Sequence, residues 1–403
     1  MRPNANIVMK RKILLYIMLC FSALGYAQEQ QPLIAPDDSI RCLLGRIFPN
    51  ADPNLSSHMN LQFCTAGMAN FTEGKLDDAA FNLYRVKLEI LGSFSEDFSY
   101  HFRQSFNKYS NPHSLDNLSS SIEYAVVNWK MNNRFTLSAG KQDWALGGYE
   151  YYVNAIKVRE YSEFNDYVPC YQAGLTGRLN LSPTQELVLQ VANLRGGSDE
   201  DTYLYGRPEG LEKAKVPVLS TLNWNGFFAD NAVQLRYAAS WGQQAKGRNI
   251  CYLTAGNIYE KGPVVAYLDL MYSREGLDSK GIVSSLQGDA IGNPVTAQYV
   301  DYFSVIANFD YRIHPNWNVY VKGAYETSGV YKANGPFEKG KYRTAWSGQA
   351  CVEYFPMRNS ELLIFAHLLY KKYDLTERAK AMIGDSPDKQ RFSIGLVYSI
   401  PVF

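Results

Sequence analysis

From about Leu61 to Phe403 the chain repeats short segments of alternating apolar and polar residues, joined by turns that are alternately short and long. Strand side chains point to opposite faces with period 2, so each segment has one apolar and one polar face. Within residues 98–106, Phe98, Tyr100, Phe102 and Phe106 share one parity, and Ser99, His101, Arg103 and Ser105 the other. Residues 82–90 set Tyr84, Val86, Leu88 and Ile90 against Leu83, Arg85, Lys87 and Glu89. At the C-terminus Phe392, Ile394, Leu396, Tyr398 and Ile400 alternate with Ser393, Gly395, Val397 and Ser399.

The pattern predicts about sixteen strands. They span residues 60–70, 79–91, 97–107, 120–131, 134–142, 170–181, 185–194 and 216–227, then 230–242, 248–260, 264–275, 299–313, 316–327, 342–355, 361–373 and 390–402. Tight joints such as Asn132-Asn133, Ser182-Pro183-Thr184, Gly262-Pro263, His314-Pro315 and Met357-Arg358-Asn359 alternate with long polar stretches at 143–169, 196–215, 276–298, 328–341 and 375–389. Asn tolerates left-handed backbone and Pro presets a turn. A soluble sandwich also alternates, but it would not gather its long loops so regularly on one side. The fold expected is therefore all-β: a transmembrane antiparallel β-barrel with short periplasmic turns, long extracellular loops and both termini periplasmic.

Composition narrows the alternatives. The chain has 403 residues, a net charge of +1, 20% charged and 14% aromatic residues. Its charge gives no footing for a general nucleic-acid partner, and its 30 Tyr and 20 Phe suit strands and interfacial girdles. After the N-terminal region, no run approaches the roughly 18 apolar residues of a spanning helix.

Residues 1–27 read as a signal peptide, with a basic Lys10-Arg11-Lys12, an apolar core from Ile13 to Leu24, and cleavage after Gly25-Tyr26-Ala27. The start is either Met1 or Met9, since Met1 to Val8 adds nothing to the signal, and Leu19-Cys20 offers a poor lipoprotein alternative because Leu19 and Phe21 are bulky. Residues 28–59, with Pro32, Pro36, Pro49 and Pro53, form an expected periplasmic lead-in before the barrel at 60–403. The five cysteines that remain after cleavage, Cys42, Cys64, Cys170, Cys251 and Cys351, are odd in number and lack a C-x-x-C pair, which points to no disulfide framework and no metal. The five histidines, His58, His101, His113, His314 and His367, lack ligand spacing. No hydrolase, zincin or nucleotide fingerprint occurs, so no enzyme and no cofactor is expected; a lipase-like Ser and His drawn from distant strands stays open.

A sixteen-stranded barrel is too wide for its wall side chains to fill, which leaves an aqueous channel. The long segment after the fifth strand, Asp143 to Pro169, is the expected constriction. Taking the polar parity as lumenal gives Arg85, Lys87, Arg103, Lys141, Arg178, Arg236, Lys322, Arg343 and Arg391, with His101, against Glu89, Glu123, Asp269, Asp310, Glu326 and Glu353. Lys157 and Arg159 add charge on the loop. An excess of Arg and Lys along a pore favours anions, although any wet lumen carries mixed charge.

Residues 135–142 (Phe135-Thr136-Leu137-Ser138-Ala139-Gly140-Lys141-Gln142), Tyr161-Ser162-Glu163-Phe164, the strand start Tyr171-Gln172-Ala173-Gly174-Leu175 and the early strand 100–106 together resemble the phosphate-selective porin O and P family. The resemblance implies a trimeric, sixteen-stranded outer-membrane porin of a Gram-negative cell whose third loop folds into the lumen. On this reading Arg85, Lys87, His101, Arg103, Lys141, Lys157, Arg159, Arg178, Arg236 and Lys322 line the pore and bias it toward anions. Its partners are outer-membrane lipid and small hydrophilic or anionic solutes. The loop departs from a basic constriction, since Asp143, Glu150, Glu160, Glu163 and Asp166 outnumber Lys157 and Arg159. Its aromatics, Trp144, Tyr149, Tyr151, Tyr152 and Tyr161, either pack the loop or line a sugar track. The competing readings are a surface binding platform with a plugged lumen and a secreted soluble β-protein. Phe403 falls on the opposite parity from Phe392, and a bulge near Pro401 would restore its phase.

Overall fold

The computed structural model describes residues 56–93, 95–108, 115–153, 155–287, 293–357 and 361–402. The signal peptide, Cys42, most of the expected lead-in and Phe403 lie outside the described residues.

Sixteen strands form one closed barrel in which each pairs with its sequence neighbours and β1 closes on β16. They are β1 Ser56–Thr72, β2 Lys75–Ser93, β3 Phe98–Ser105, β4 Ile122–Lys130, β5 Phe135–Asp143, β6 Tyr171–Ser182, β7 Gln185–Asn193 and β8 Val218–Phe228. The second half is β9 Val233–Ala245, β10 Arg248–Lys261, β11 Val264–Leu277, β12 Gln298–His314, β13 Trp317–Val330, β14 Gly340–Tyr354, β15 Leu363–Leu375 and β16 Lys389–Pro401. Each overlaps an expected segment, and β1 starts inside the expected lead-in. Ladders hydrogen-bonded on both sides leave no open edge, which hydrocarbon would not tolerate.

The two faces are inverted relative to a soluble protein. Along β7, Leu189 is 60% exposed while Gln190 beside it is 3% exposed. Trp241, Val321, Leu368 and Ile394 likewise face out, whereas Thr221, Ser240, Thr254, Ser304, Gln349 and Ser393 are buried. A soluble sandwich buries the opposite parity, so this polarity identifies a membrane barrel with a polar lumen. Trp129, Phe228, Tyr259, Phe309 and Trp317 form an exposed aromatic belt near the short-turn end.

One expected parity is wrong. The β1–β2 register shifts between Cys64↔Arg85 and Thr65↔Leu83, so Tyr84 is the extra residue of a bulge. Beyond it the strand changes phase: Leu83 and Phe81 face outward, 53% and 93% exposed, although alternation grouped Leu83 with lumenal Arg85. No bulge occurs near Pro401, because β1 and β16 stay in register from Asn60↔Pro401 to Thr72↔Lys389.

Connections on the side of the two termini never exceed the eight residues of 355–362. The other end carries 106–121, 144–170, 194–217, 278–297, 331–339 and 376–388. It also carries two tight hairpins, 73–74 and 246–247, so the expected alternation is not strict. Glu73 and Gly74 both adopt positive φ (51° and 74°), the conformation that closes a two-residue hairpin.

The inverted polarity makes a prediction. Leu189→Arg, at the centre of the outward face of β7, destabilises the bilayer-embedded barrel by about 2–4 kcal/mol in denaturant unfolding from vesicles; a change near zero would contradict the placement.

Candidate constriction site

The segment 144–170 leaves β5, crosses the lumen and returns to β6. Its first turn lies flat on the wall: Ala145 N donates to Gln190 Oε1 (2.9 Å), Thr254 Oγ1 to Leu146 O, and Gly148 N to Arg236 O (3.2 Å). Gly147 and Gly148 sit at φ +74° and +75°. A Cβ on Gly256 of β10 would lie 2.6 Å from Gly148 Cα, so two glycines permit this backbone approach.

Beyond the turn, wall carboxylates hold loop backbone. Asp269 accepts from Tyr149 N (2.8 and 2.9 Å) and Glu150 N (2.8 Å). Glu326 accepts from Glu163 N (2.9 Å), Phe164 N (3.0 Å) and Ser304 Oγ (2.8 Å), capping the one-turn helix Glu163–Asp166. Arg85 of β2 donates to the carbonyls of Ala155 and Val158, the latter at 2.6 Å.

The loop's own acids are answered by wall cations. Glu150, fully buried, accepts from Lys322 Nζ (2.6 Å), Ser162 Oγ (2.5 Å) and Asn165 Nδ2 (2.6 Å), joining both halves of the loop to β13. Glu160 pairs with Lys371 and with Arg391 (2.9 Å), and Glu163 with Arg343. In the reverse sense, Arg159 pairs with Glu353 (3.1 Å) and lies 4.4 Å over the Phe365 ring. Burial raises the Glu150 and Glu160 carboxyls, but their cation partners and hydrogen bonds win and hold both below 4.5. Burial likewise lowers the Arg159 guanidinium, and Glu353 more than offsets it, so Arg159 stays charged.

The structure divides the expected pore-lining residues. Arg85, Lys157, Arg159 and Lys322 meet at the loop, and Arg236 lies 4.9 Å over the Tyr152 ring on its far side. Lys87, His101 and Arg103 form a separate cluster on β2–β4: Lys87 and Arg103 share Glu123 (2.8 and 2.7 Å), while His101 meets Glu89 (2.9 Å). Lys141 pairs with Asp116 (3.0 Å), and Arg178 faces Glu186 (3.5 Å) near the short-turn end. Of the five acids counted on that segment, Glu150, Glu160 and Glu163 are neutralised by residues from β13 to β16, whereas Asp143 and Asp166 have no ion pair among the described residues. Lys371 was missed, since Lys371-Lys372 gives no parity cue. Trp144 is a packing residue, 1% exposed in a cluster with Phe164 and Tyr252, while half-buried Tyr149 faces a cavity.

Open space remains on either side of the crossing. A cavity of about 230 Å³ toward the short turns is lined by Tyr149, Lys157, Arg159, Tyr267, Asp310 and Lys322. Another of about 330 Å³ toward the long loops is lined by Tyr167, Arg195, Tyr203, Gln244 and Ser279. Among the described residues no His, Cys, Asp and Glu cluster has metal-binding geometry.

Two predictions follow from this docking. Lys322→Met strands the buried Glu150 charge and costs the docked loop about 3–5 kcal/mol, read as protease cleavage within 144–170; Lys322→Met with Glu150→Gln costs much less. Equal protease resistance in the single variant and the parent would contradict the role of the pair. Because Glu150 and Glu160 are held below 4.5, their contribution is complete above that pH and is lost as pH falls through their lowered values. The same cleavage assay is expected to show release on acidification below 4.5, and an acid release that is unchanged in Glu150→Gln with Glu160→Gln would contradict the assignment.

Comparison with known proteins agrees with this geometry. The outer-membrane channel DcaP of Acinetobacter baumannii superposes with a TM-score of 0.58 at 10% identity, covering 87% of this chain and 98% of its own. OmpT, an outer-membrane protein of Vibrio cholerae also solved in a trimer form, gives 0.53 at 12% over 87% and 99%. OmpF of Salmonella typhi, solved with daunomycin, gives 0.53 at 12% over 86% and 97%. No curated protein sequence matches the chain. The phosphate-selective porin O and P family profile matches residues 58–400. With its closed sixteen-stranded wall, polar lumen and loop docked across it, the chain belongs to the phosphate-selective porin O and P family and is an outer-membrane porin of a Gram-negative cell.

Proposed function

We propose that this porin passes small hydrophilic solutes by diffusion with a modest preference for anions such as phosphate, and that it works as a homotrimer in outer-membrane lipid. The observation that carries the anion reading is an imbalance among paired charges. Glu150, Glu160 and Glu163 are neutralised by wall cations, whereas Arg85 binds loop carbonyls and lies over the Tyr84 ring, and Arg85, Arg236 and Lys157 have no ion pair among the described residues. Unpaired cations beside a narrow aqueous path attract anions and repel cations. Asp269 and Glu326 bind only loop amides and a serine, Asp166 has no ion pair among the described residues, and Asp310 and Glu260 line the same cavity as Lys157, all of which keeps the preference modest. The trimer is carried over from family membership and from the trimer form of OmpT.

The test is the reversal potential of the reconstituted protein in a planar bilayer under a salt gradient. The expected sign is that of anion preference, reduced or reversed in Lys157→Glu combined with Arg236→Glu. Cation preference in the parent would overturn the anion reading. Absence of conductance would overturn the pore and favour the surface platform.

A further inference from the structure

The loop between β11 and β12 buries a charge that a mouth loop at the water surface has no need to bury. The Lys280 side chain is 1% exposed, pairs with Glu275 (0% exposed), and donates to Ser273 Oγ at 3.0 Å. Its ammonium lies 4.6 Å from the Phe164 ring centroid, 5.0 Å from Tyr252 and 4.9 Å from Tyr302. Desolvated cation–π contact with three rings adds to the ion pair. Phe164 belongs to the one-turn helix of the constriction loop, so Lys280 ties one loop to the other.

The residues around Lys280 are built to keep it there. Ser279 N and Oγ both donate to Glu275 (3.0 and 2.7 Å). Asp278 accepts from Ser284 N and Oγ (2.7 Å each), Gly281 N (2.9 Å) and Tyr302 OH (2.5 Å). Ile282, Val283 and Leu286 join Trp144, Phe164 and Ala379 in one apolar cluster. The gap that the two loops leave against the β12–β14 wall, lined by Phe164, Lys280, Ile282, Tyr302, Glu326 and Arg343, is about 10 Å³. That holds about one water.

We propose that residues 278–287 form a second constriction loop of this pore, and that Lys280 is the positioning residue that holds it against the first. This part of the lumen is closed by the pair of loops, and the solute path is left to the side of Lys157 and Tyr149. The pore width rests on the diffusion reading above; the docking of the loop does not.

The experiment places a reporter cysteine at Ile282, 6% exposed, and exposes the full-length folded barrel to a bulky water-soluble maleimide, with the parent's native cysteines as background. Ile282→Cys is expected to be protected with Lys280 in place, to be modified several-fold faster with Lys280→Met, and to regain protection with Lys280→Arg, which keeps the charge and ring contacts. In bilayers, Lys280→Met is expected to admit larger polyethylene glycols than the parent. A purely electrostatic role would move the reversal potential and leave the excluded size unchanged. Heat-modifiable gel migration reports folding; if Lys280→Met does not fold, Lys280→Met with Glu275→Gln leaves no lone buried charge and carries the same expectations. Labelling and excluded size both equal to the parent in a folded variant would overturn the proposal. Faster labelling without conductance in any variant would retain the docked loop and overturn the diffusion reading instead.

Discussion

Every backbone N–H and C=O inside hydrocarbon must be bonded within the protein, and a sheet meets that requirement only by closing on itself. Here the closure is the β1–β16 seam, unbroken from Asn60↔Pro401 to Thr72↔Lys389. Once the ring is closed, the pleat sends alternate side chains to lipid and to the lumen. Leu189 and Gln190, neighbours in β7, therefore live in opposite solvents. Even the bulge at Tyr84 is absorbed by a local change of phase rather than by a break in pairing.

A polar lumen has to satisfy its own charges, and this one does so by using the loop as the other half of its ion pairs. Asp269 and Glu326 take loop amides, while Lys322, Lys371, Arg343 and Arg391 take loop carboxylates. A buried carboxylate such as Glu150 is tolerable only because Lys322, Ser162 and Asn165 converge on it. The same contacts fix where the loop crosses. Among the described residues, the charges that no ion pair answers around the crossing are Arg85, Lys157 and Arg236 on one side and Asp166, Asp269, Glu326, Asp310 and Glu260 on the other.

The strands were legible because a period of 2 survives in sequence wherever one face meets lipid. Sixteen segments were recovered that way, with ends extended by several residues, as at β1 and β2, where hairpin residues continue the ladder. The bulge was illegible, since Tyr84 is itself apolar and leaves the alternation unmarked. The apparent acidity of the loop misled for another reason. Glu150 meets Lys322 across 172 positions and Glu160 meets Arg391 across 231, so local charge balance carried no information about the partners. Gly147-Gly148 was the one local sign that this loop approaches the wall closely.

The central claim is that water-filled space runs through the barrel past two loops locked to its wall. Swelling of liposomes containing the purified protein, challenged with neutral sugars of increasing size, tests it most directly. Fast swelling with monosaccharides and a steep fall with solute size are expected; no swelling with any sugar, from protein that shows heat-modifiable migration, would contradict a water-filled path.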